Sequence, residues 1–128
     1  MNEDFVSFDL AKKLKEKGYT LDTAHHYDDN GGIVVSLVEF DDRCVYPCPE
    51  IHQVLKWLRE DRIISVEPYA SASGWRVTIC RAYNQGRTDA CGGTCLKSEI
   101  EGYNDGGAFE EYEEAVLAGI EYVLDNLI

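Results

Sequence analysis

The order in which helical and strand-like patterns follow one another constrains the fold of this chain most. Apolar residues recur at helical spacing in three segments, near 5–17, 47–61 and from Phe109 onward. Two strand-like segments lie between the first and second of these, and three lie between the second and third. Because strands and helices do not alternate one for one, a doubly wound parallel sheet is disfavoured. We predict one α+β domain over residues 1–128, with a mainly antiparallel sheet of about four to five strands on three helices, in the order α-β-β-α-β-β-β-α.

Capping residues predict where the helices begin and end. Ser7 is suited to cap the first helix, and Gly18 is suited to the left-handed residue that follows it. Pro49 fits the first position of the second helix, where its missing N–H costs nothing. In the third helix an apolar stripe predicts a face docked on the sheet: Phe109, Tyr112, Val116, Ile120, Val123 and Leu127.

A hairpin is predicted in the segment YDDNGGIVV. Asn30-Gly31 is a strong signal for a two-residue turn in which both residues take positive φ. It would join a weak strand near 23–28 to a strong one at 33–40. The second strand, IVVSLVEF, is apolar on both faces over much of its length, which is typical of a central strand covered on both sides.

Composition indicates a globular protein that folds without cross-links. The chain has 128 residues, 45% of them hydrophobic, which is enough to bury a core. No apolar run approaches the ~20 residues that cross a bilayer, and the start, MNEDFVSFDLAKK, lacks the pattern of a signal peptide. We therefore expect a cytoplasmic protein without membrane contact, whose thiols are reduced. Its five cysteines cannot all pair within one chain.

Charge is strongly negative and unevenly distributed. The formal net charge is −12, and nine acidic residues but no Lys or Arg follow Lys97. Such a surface repels phosphate backbones, so direct nucleic-acid binding is not expected. The same acids could occupy a basic surface on a partner protein. The alternative interpretation is a solvated helix face that keeps the domain soluble.

Four cysteines offer an alternative function as a zinc-binding module. Cys44 and Cys48 form one Cys-x-x-x-Cys pair, and Cys91 and Cys95 form a second. Structural zinc takes four thiolates, and two close pairs supply them in many folds. Against this, a predicted helix and two strands separate the pairs, and the two-residue spacing of zinc ribbons does not occur. Zinc is therefore the alternative, and no cofactor is the primary expectation.

Two weaker constellations could carry chemistry. Cys48 precedes the second helix, where a thiol pKa is lowered, and His52 follows four residues later, so the two outline a Cys–His nucleophile. No third orienting group can be identified, and a histidine at the position of His52 is more often simply a helix-surface residue. His25 and His26 are adjacent, so on a strand they point to opposite faces and cannot bind one ion unaided.

Three segments resemble a group of short, uncharacterised proteins of gut anaerobic bacteria and their prophages. They are FVSFDLAKKLKEKGY, the block P-x-x-x-Q-V-L-K-W-L-R-E from Pro49 to Glu60, and EEYEEAVLAGIEYVLDNL, together about a third of the chain. The resemblance implies an α+β domain in a phage or mobile-element setting. It implies no activity and no site residues, and that group does not require the paired cysteines.

These observations favour a non-enzymatic accessory protein. Neither a catalytic constellation nor a phosphate-binding loop stands out, whereas the charge asymmetry does. We expect the acidic C-terminal side to bind a protein with a basic surface.

Overall fold

The computed structural model describes residues 5–19, 23–36, 42–81 and 94–128. These residues confirm the α+β class and the predicted order of helices and strands, with one added two-residue strand. The helices are α1 (Phe8–Glu16), α2 (Ile51–Asp61) and α3 (Tyr112–Asn126). The strands are β1 (His25–Tyr27), β2 (Ile33–Val35), β3 (Tyr46–Pro47), β4 (Ile64–Ser71), β5 (Gly74–Arg81) and β6 (Thr94–Lys97).

Within the described residues the strands form two antiparallel sheets of three. The first has the order β2-β1-β3 and the second β4-β5-β6. They belong to two compact units, one of residues up to Trp57 together with Ile128, the other Leu58–Leu127. A single domain over 1–128 stays a prediction. No helix in the described ranges is both long and apolar enough to span a membrane.

In the first unit a short sheet and α1 enclose a small core. Leu10, Ala11 and Leu14 of α1 are buried. Tyr27 of β1 is also buried, and its hydroxyl donates a hydrogen bond to the carbonyl of Val6 over 2.6 Å. Because strands this short provide few ladder bonds, such side-chain bonds to the backbone help to fix their position.

The prediction that segment 33–40 is a central, covered strand is wrong for its described part. β2 lies at the edge of its sheet, with Ile33 45% exposed and Val35 62% exposed, while only Val34 is buried. The weaker segment, β1, is central instead. The apolar run was misleading because it does not reveal which neighbours cover a strand. Residues 37–41 lie outside the described part.

The hairpin exists, but its turn is longer than the predicted two-residue type. Gly31 has φ +86°, while Asn30 does not have positive φ. Asp28 closes the turn instead: its carboxylate accepts hydrogen bonds from the N–H groups of Asn30 (2.9 Å) and Gly32 (2.8 Å). An aspartate side chain that binds the backbone ahead of it explains why a dipeptide rule failed here.

Helix boundaries were predicted well at α1 and less well elsewhere. Ser7 caps α1 by accepting a hydrogen bond from Leu10 N at 3.2 Å, and Gly18 has φ +83°, so both predictions are confirmed.

The other two helices begin later than the sequence predicts. α2 begins at Ile51, two residues beyond Pro49, and α3 begins at Tyr112. Phe109 pairs through its backbone with Trp75, which delays the start of α3.

In the second unit, two eight-residue strands pack against α3. β4 and β5 pair without interruption from Ile64–Arg81 to Ser71–Gly74. The inward face of the sheet carries Val66, Val77 and Ile79, and Gly119 of α3 lies directly above these side chains. A Cβ at Gly119 would be 2.5 Å from a methyl carbon of Val66, so a glycine is needed for this close approach.

Candidate functional site

The segment between β6 and α3 is an ordered loop organised by Asn104. The Asn104 amide oxygen accepts hydrogen bonds from the N–H groups of Gly106 (3.1 Å) and Ala108 (2.8 Å). Its amide nitrogen donates to the carbonyl of Ser73 at 2.7 Å, which ties the loop to the β4–β5 turn. Gly102 accommodates the backbone of Ala108, since a Cβ there would be 2.2 Å from that backbone. The loop backbone is therefore closely constrained.

Arg76 of β5 holds the same loop from the sheet. Its guanidinium forms an ion pair with Glu99 and donates to the carbonyl of Gly106 at 2.6 Å. Its Nε donates to the Ser71 hydroxyl at 3.2 Å. A cleft of about 270 Å³ beside it is lined by Arg76, Glu99, Glu101 and Gly107. Since the guanidinium already binds groups of the protein, Arg76 acts as an anchor for the loop.

Tyr103 links the loop to the first turn of α3. Its hydroxyl donates to the Glu114 carboxylate at 2.8 Å and accepts from the N–H of Glu110 at 3.2 Å. Glu114 also accepts from the N–H of Glu111 at 3.2 Å, which satisfies a free donor at the helix start. Loss of water around the hydroxyl, and then the Glu114 carboxylate, raise the pKa of Tyr103. The phenol therefore remains a hydrogen-bond donor at neutral pH.

Acids and tyrosines share one solvent-exposed stretch, which we call the acidic surface. Tyr103 is 60% exposed and Tyr112 is 43% exposed. Tyr103 packs edge-on against Phe109 (ring centroids 6.0 Å apart), and Tyr112 packs against Trp75 (5.2 Å). The acidic surface consists of Glu101, Tyr103, Asp105, Glu110, Glu111, Tyr112 and Glu113, all of them exposed. It combines negative charge with two fixed aromatic rings.

The cysteines of the zinc alternative are distributed over both compact units and one segment outside the described residues. Cys44 and Cys48 belong to the first unit and Cys95 to the second, while Cys91 lies outside the described part. Within the described ranges, no three His, Cys, Asp or Glu side chains are grouped so that they could hold a metal ion.

Cys48 is a core residue in this structure. It is buried, its thiol lies 3.9 Å from the carbonyl of Val6, and it interacts with the Tyr27 hydroxyl. Burial raises the pKa of Cys48, although the Tyr27 hydrogen bond opposes this, so the predicted lowering is wrong. His52 is exposed, with its Nδ1 3.0 Å from the carboxylate of Glu50. The geometry gives no support to a Cys–His nucleophile.

The histidine pair sits on the central strand of the first sheet. His25 is opposite Val35 and His26 is opposite Val34. The His25 ring packs against Phe5, with centroids 4.7 Å apart. This environment is aromatic and aliphatic, which agrees with a structural role.

Sequence reasoning missed the residues that organise the acidic surface, and it also missed Cys80. The segment YNDGG around Asn104 is rich in turn-forming residues and could have been recognised as an ordered turn. Cys80 lies directly opposite Cys95 across β5 and β6. No spacing rule finds this pair, because its register depends on a β-bulge beside it.

Comparison with known proteins yields no relatives: no family model, no curated protein and no solved structure matches the chain.

Proposed function

We propose that this protein is a non-enzymatic interaction module that binds the basic surface of a partner protein through its acidic surface. The observation that carries the proposal is the placement of exposed acids and two exposed tyrosines on one anchored loop and helix start. Opposite charge speeds the encounter of two proteins and disfavours partners of the same sign.

Preorganisation supports this role. Asn104 and Arg76 fix the loop by hydrogen bonds to the turn and the sheet, so little conformational freedom remains to be lost on binding. A chain that served only solubility would not require such a constrained backbone at its most acidic segment.

The two exposed tyrosines add contact area and attraction for cations to the negative charge of the acidic surface. A Tyr ring exposes a large flat area at low entropic cost, and its face attracts the cations of Arg and Lys. Tyr103 and Tyr112 are both held by aromatic neighbours. They are candidate centres of the interface, where Tyr and Arg are enriched.

The proposed setting is the cytoplasm of a bacterium that carries a phage or mobile element. The three helical segments that resemble prophage proteins support the setting, and they carry no information about the partner. A basic partner from the host or from the phage would meet the same chemical requirement.

The proposal is tested by titrating the full chain with a fluorescent peptide rich in arginine and lysine. The surface variant changes Glu101, Glu110 and Glu113 to Gln and Asp105 to Asn, none of which forms a hydrogen bond through its side chain among those described above. Four surface charges contribute on the order of 1–3 kcal/mol together, so we expect the affinity to fall by about fivefold to 150-fold. Raising salt from about 50 to about 300 mM should weaken wild-type binding in the same direction.

A matched control removes the same charge from other places. Glu16, Asp29, Asp42 and Glu60 are exposed acids that lie outside the acidic surface, and they are changed to Gln or Asn together. We expect this control to lose less than about twofold in affinity. Equal weakening in both variants would show that net charge alone attracts the peptide, and the proposal would then be rejected.

A further inference from the structure

Cys80 and Cys95 face each other across two neighbouring strands of the second sheet. They are directly opposed in the antiparallel register of β5 and β6. Opposed residues in such a ladder have Cα atoms about 4.5–5.5 Å apart and project to the same face of the sheet. This range lies inside the ~4.4–6.8 Å over which the Cα atoms of disulfide-bonded cysteines are found.

Neither cysteine of this pair is buried. Cys95 is exposed and Cys80 is half-buried, on the face of β5 opposite the one that carries Val77 and Ile79. Cys48, by contrast, is buried, and its thiol donates a hydrogen bond to the backbone carbonyl of Val6. Among the cysteines in the described ranges, Cys80 and Cys95 are opposed in register and neither is buried.

We propose that Cys80 and Cys95 form a reversible disulfide that links β5 to β6 under oxidising conditions. The oxidant is a small disulfide such as oxidised glutathione. The exposed Cys95 thiolate attacks one of its sulfurs, which forms a mixed disulfide and releases one glutathione thiol. The Cys80 thiolate then attacks the Cys95 sulfur, so that the second glutathione leaves as a thiol. In total, the two cysteines are oxidised to one disulfide and one glutathione disulfide is reduced to two glutathione thiols. The two protons of the cysteine thiols end on the two glutathione thiols.

The bond would strengthen a weak point of the sheet. The register shifts between Ile79 and Cys80, so Leu96 has no opposite residue and the pairing of β6 is irregular. Beyond the bulge, the hydroxyl of Thr78 donates to the carbonyl of Lys97 at 2.9 Å. The disulfide would join β6 to β5 on the other side of the bulge, through Cys80 and Cys95. This inference is independent of the proposed interaction function.

The test equilibrates chelator-treated full-length protein in glutathione buffers of increasing oxidised fraction. Free thiols are then trapped by alkylation, and the protein is digested with trypsin. We expect a cross-link between VTICR (77–81) and TDACGGTCLK (88–97), reversed by excess reduced glutathione. Because Cys91 shares the second peptide, fragmentation must place the bond on Cys95. The oxidised protein should melt roughly 5–10 °C above the reduced protein.

Serine variants separate this bond from its competitors. In Cys91→Ser the cross-link and the melting shift should persist, and in Cys80→Ser or Cys95→Ser both should disappear. A bond from Cys80 to Cys91, a cross-link between two chains, or glutathione mixed disulfides without an internal bond would each overturn the proposal. Fragmentation of the wild-type peptide decides the matter even where a serine variant fails to fold.

Discussion

The two compact units have similar parts and place their reactive groups differently. Each contains a three-stranded antiparallel sheet, with strands of two or three residues in the first unit and of up to eight in the second. In the first, the Tyr27 hydroxyl and the Cys48 thiol are directed at the carbonyl of Val6 inside the core. In the second, the Tyr103 hydroxyl and the Cys95 thiol lie at the surface. These two groups thus serve the core in the first unit, whereas in the second they lie at the surface, where the Tyr103 hydroxyl bonds to Glu114 and to the N–H of Glu110.

Strand length gives a physical reason for the difference. Short ladders satisfy few backbone groups, so side chains of the first unit complete the bonding: Lys15 Nζ, for example, donates to the carbonyl of Val45 at 2.9 Å. The long β4–β5 ladder is self-sufficient and packs against α3 through aliphatic side chains. The loop between β6 and α3 can therefore carry acids and aromatic rings without weakening the core of the second unit.

The largest expected effect comes from a core isoleucine of the second unit. Ile120→Ala removes a fully buried side chain of α3, and we expect a loss of about 2–5 kcal/mol in the free energy of unfolding. Ile33→Ala removes the same atoms from the exposed edge strand β2 and should cost less than about 1 kcal/mol. Urea denaturation compares them. Similar losses would mean that the two sites are equally packed, contrary to the structure.

A smaller effect is expected from the buried hydroxyl of the first unit. Tyr27→Phe removes the donor to Val6 O and should cost about 1–2 kcal/mol, because a buried carbonyl loses its 2.6 Å bond. Tyr103→Phe is the comparison in the second unit, where water replaces the lost bonds, and its loss should be smaller. If Tyr103→Phe were the more damaging of the two in urea denaturation, the contrast between the units would fail.

Alkaline pH should lower the free energy of unfolding, and Tyr19 of the first unit should account for part of this loss. Burial raises the pKa of Tyr19 to about 12, above its ordinary value of 10.0. The unfolded chain therefore loses this proton first, so the stabilising contribution is complete below about pH 10 and is lost as the pH rises towards about 12. Tyr19→Phe should lose less stability than wild type over this window, measured by denaturation at several pH values. The variant Tyr69→Phe, with an exposed ring, should follow wild type; if Tyr19→Phe does so too, the assignment is wrong.

The smallest expected effect is that of chelation. The cores of both units are built from apolar side chains, so EDTA should change the melting temperature by less than about 1 °C. The zinc alternative requires the opposite result: near-stoichiometric zinc by elemental analysis, unfolding in chelator, and loss of the metal in Cys44→Ser.

Periodicity predicted the elements better than it predicted their neighbours. The amphipathic pattern of α1, the middle of the stripe predicted for α3, and the alternation of Val77 and Ile79 in β5 are local properties, and the structure confirms them. Tyr112, which the same stripe placed against the sheet, is instead 43% exposed. The edge position of β2 and the delayed start of α3 depend on partners distant in the chain, such as the backbone pairing of Trp75 with Phe109. Local periodicity in a single sequence does not reveal which distant segments pair with each other.

The candidate site shows the same division. Charge counting identified the acidic C-terminal side, because charge needs no structure to be counted. The anchoring of the loop by Arg76 and Asn104, and the pairing of Cys80 with Cys95, are set by strand register and side-chain geometry. Cysteine spacing drew attention to Cys48, which is buried, and away from Cys80.

The most direct test of the acidic surface is an NMR titration of the ¹⁵N-labelled full chain with the basic peptide. We predict that amide shifts concentrate at residues 99–114, around Tyr103 and Tyr112, and that the amide signals of α1 with its lysines stay unchanged. Shifts spread evenly over all acidic positions, or centred on the first unit, would contradict it.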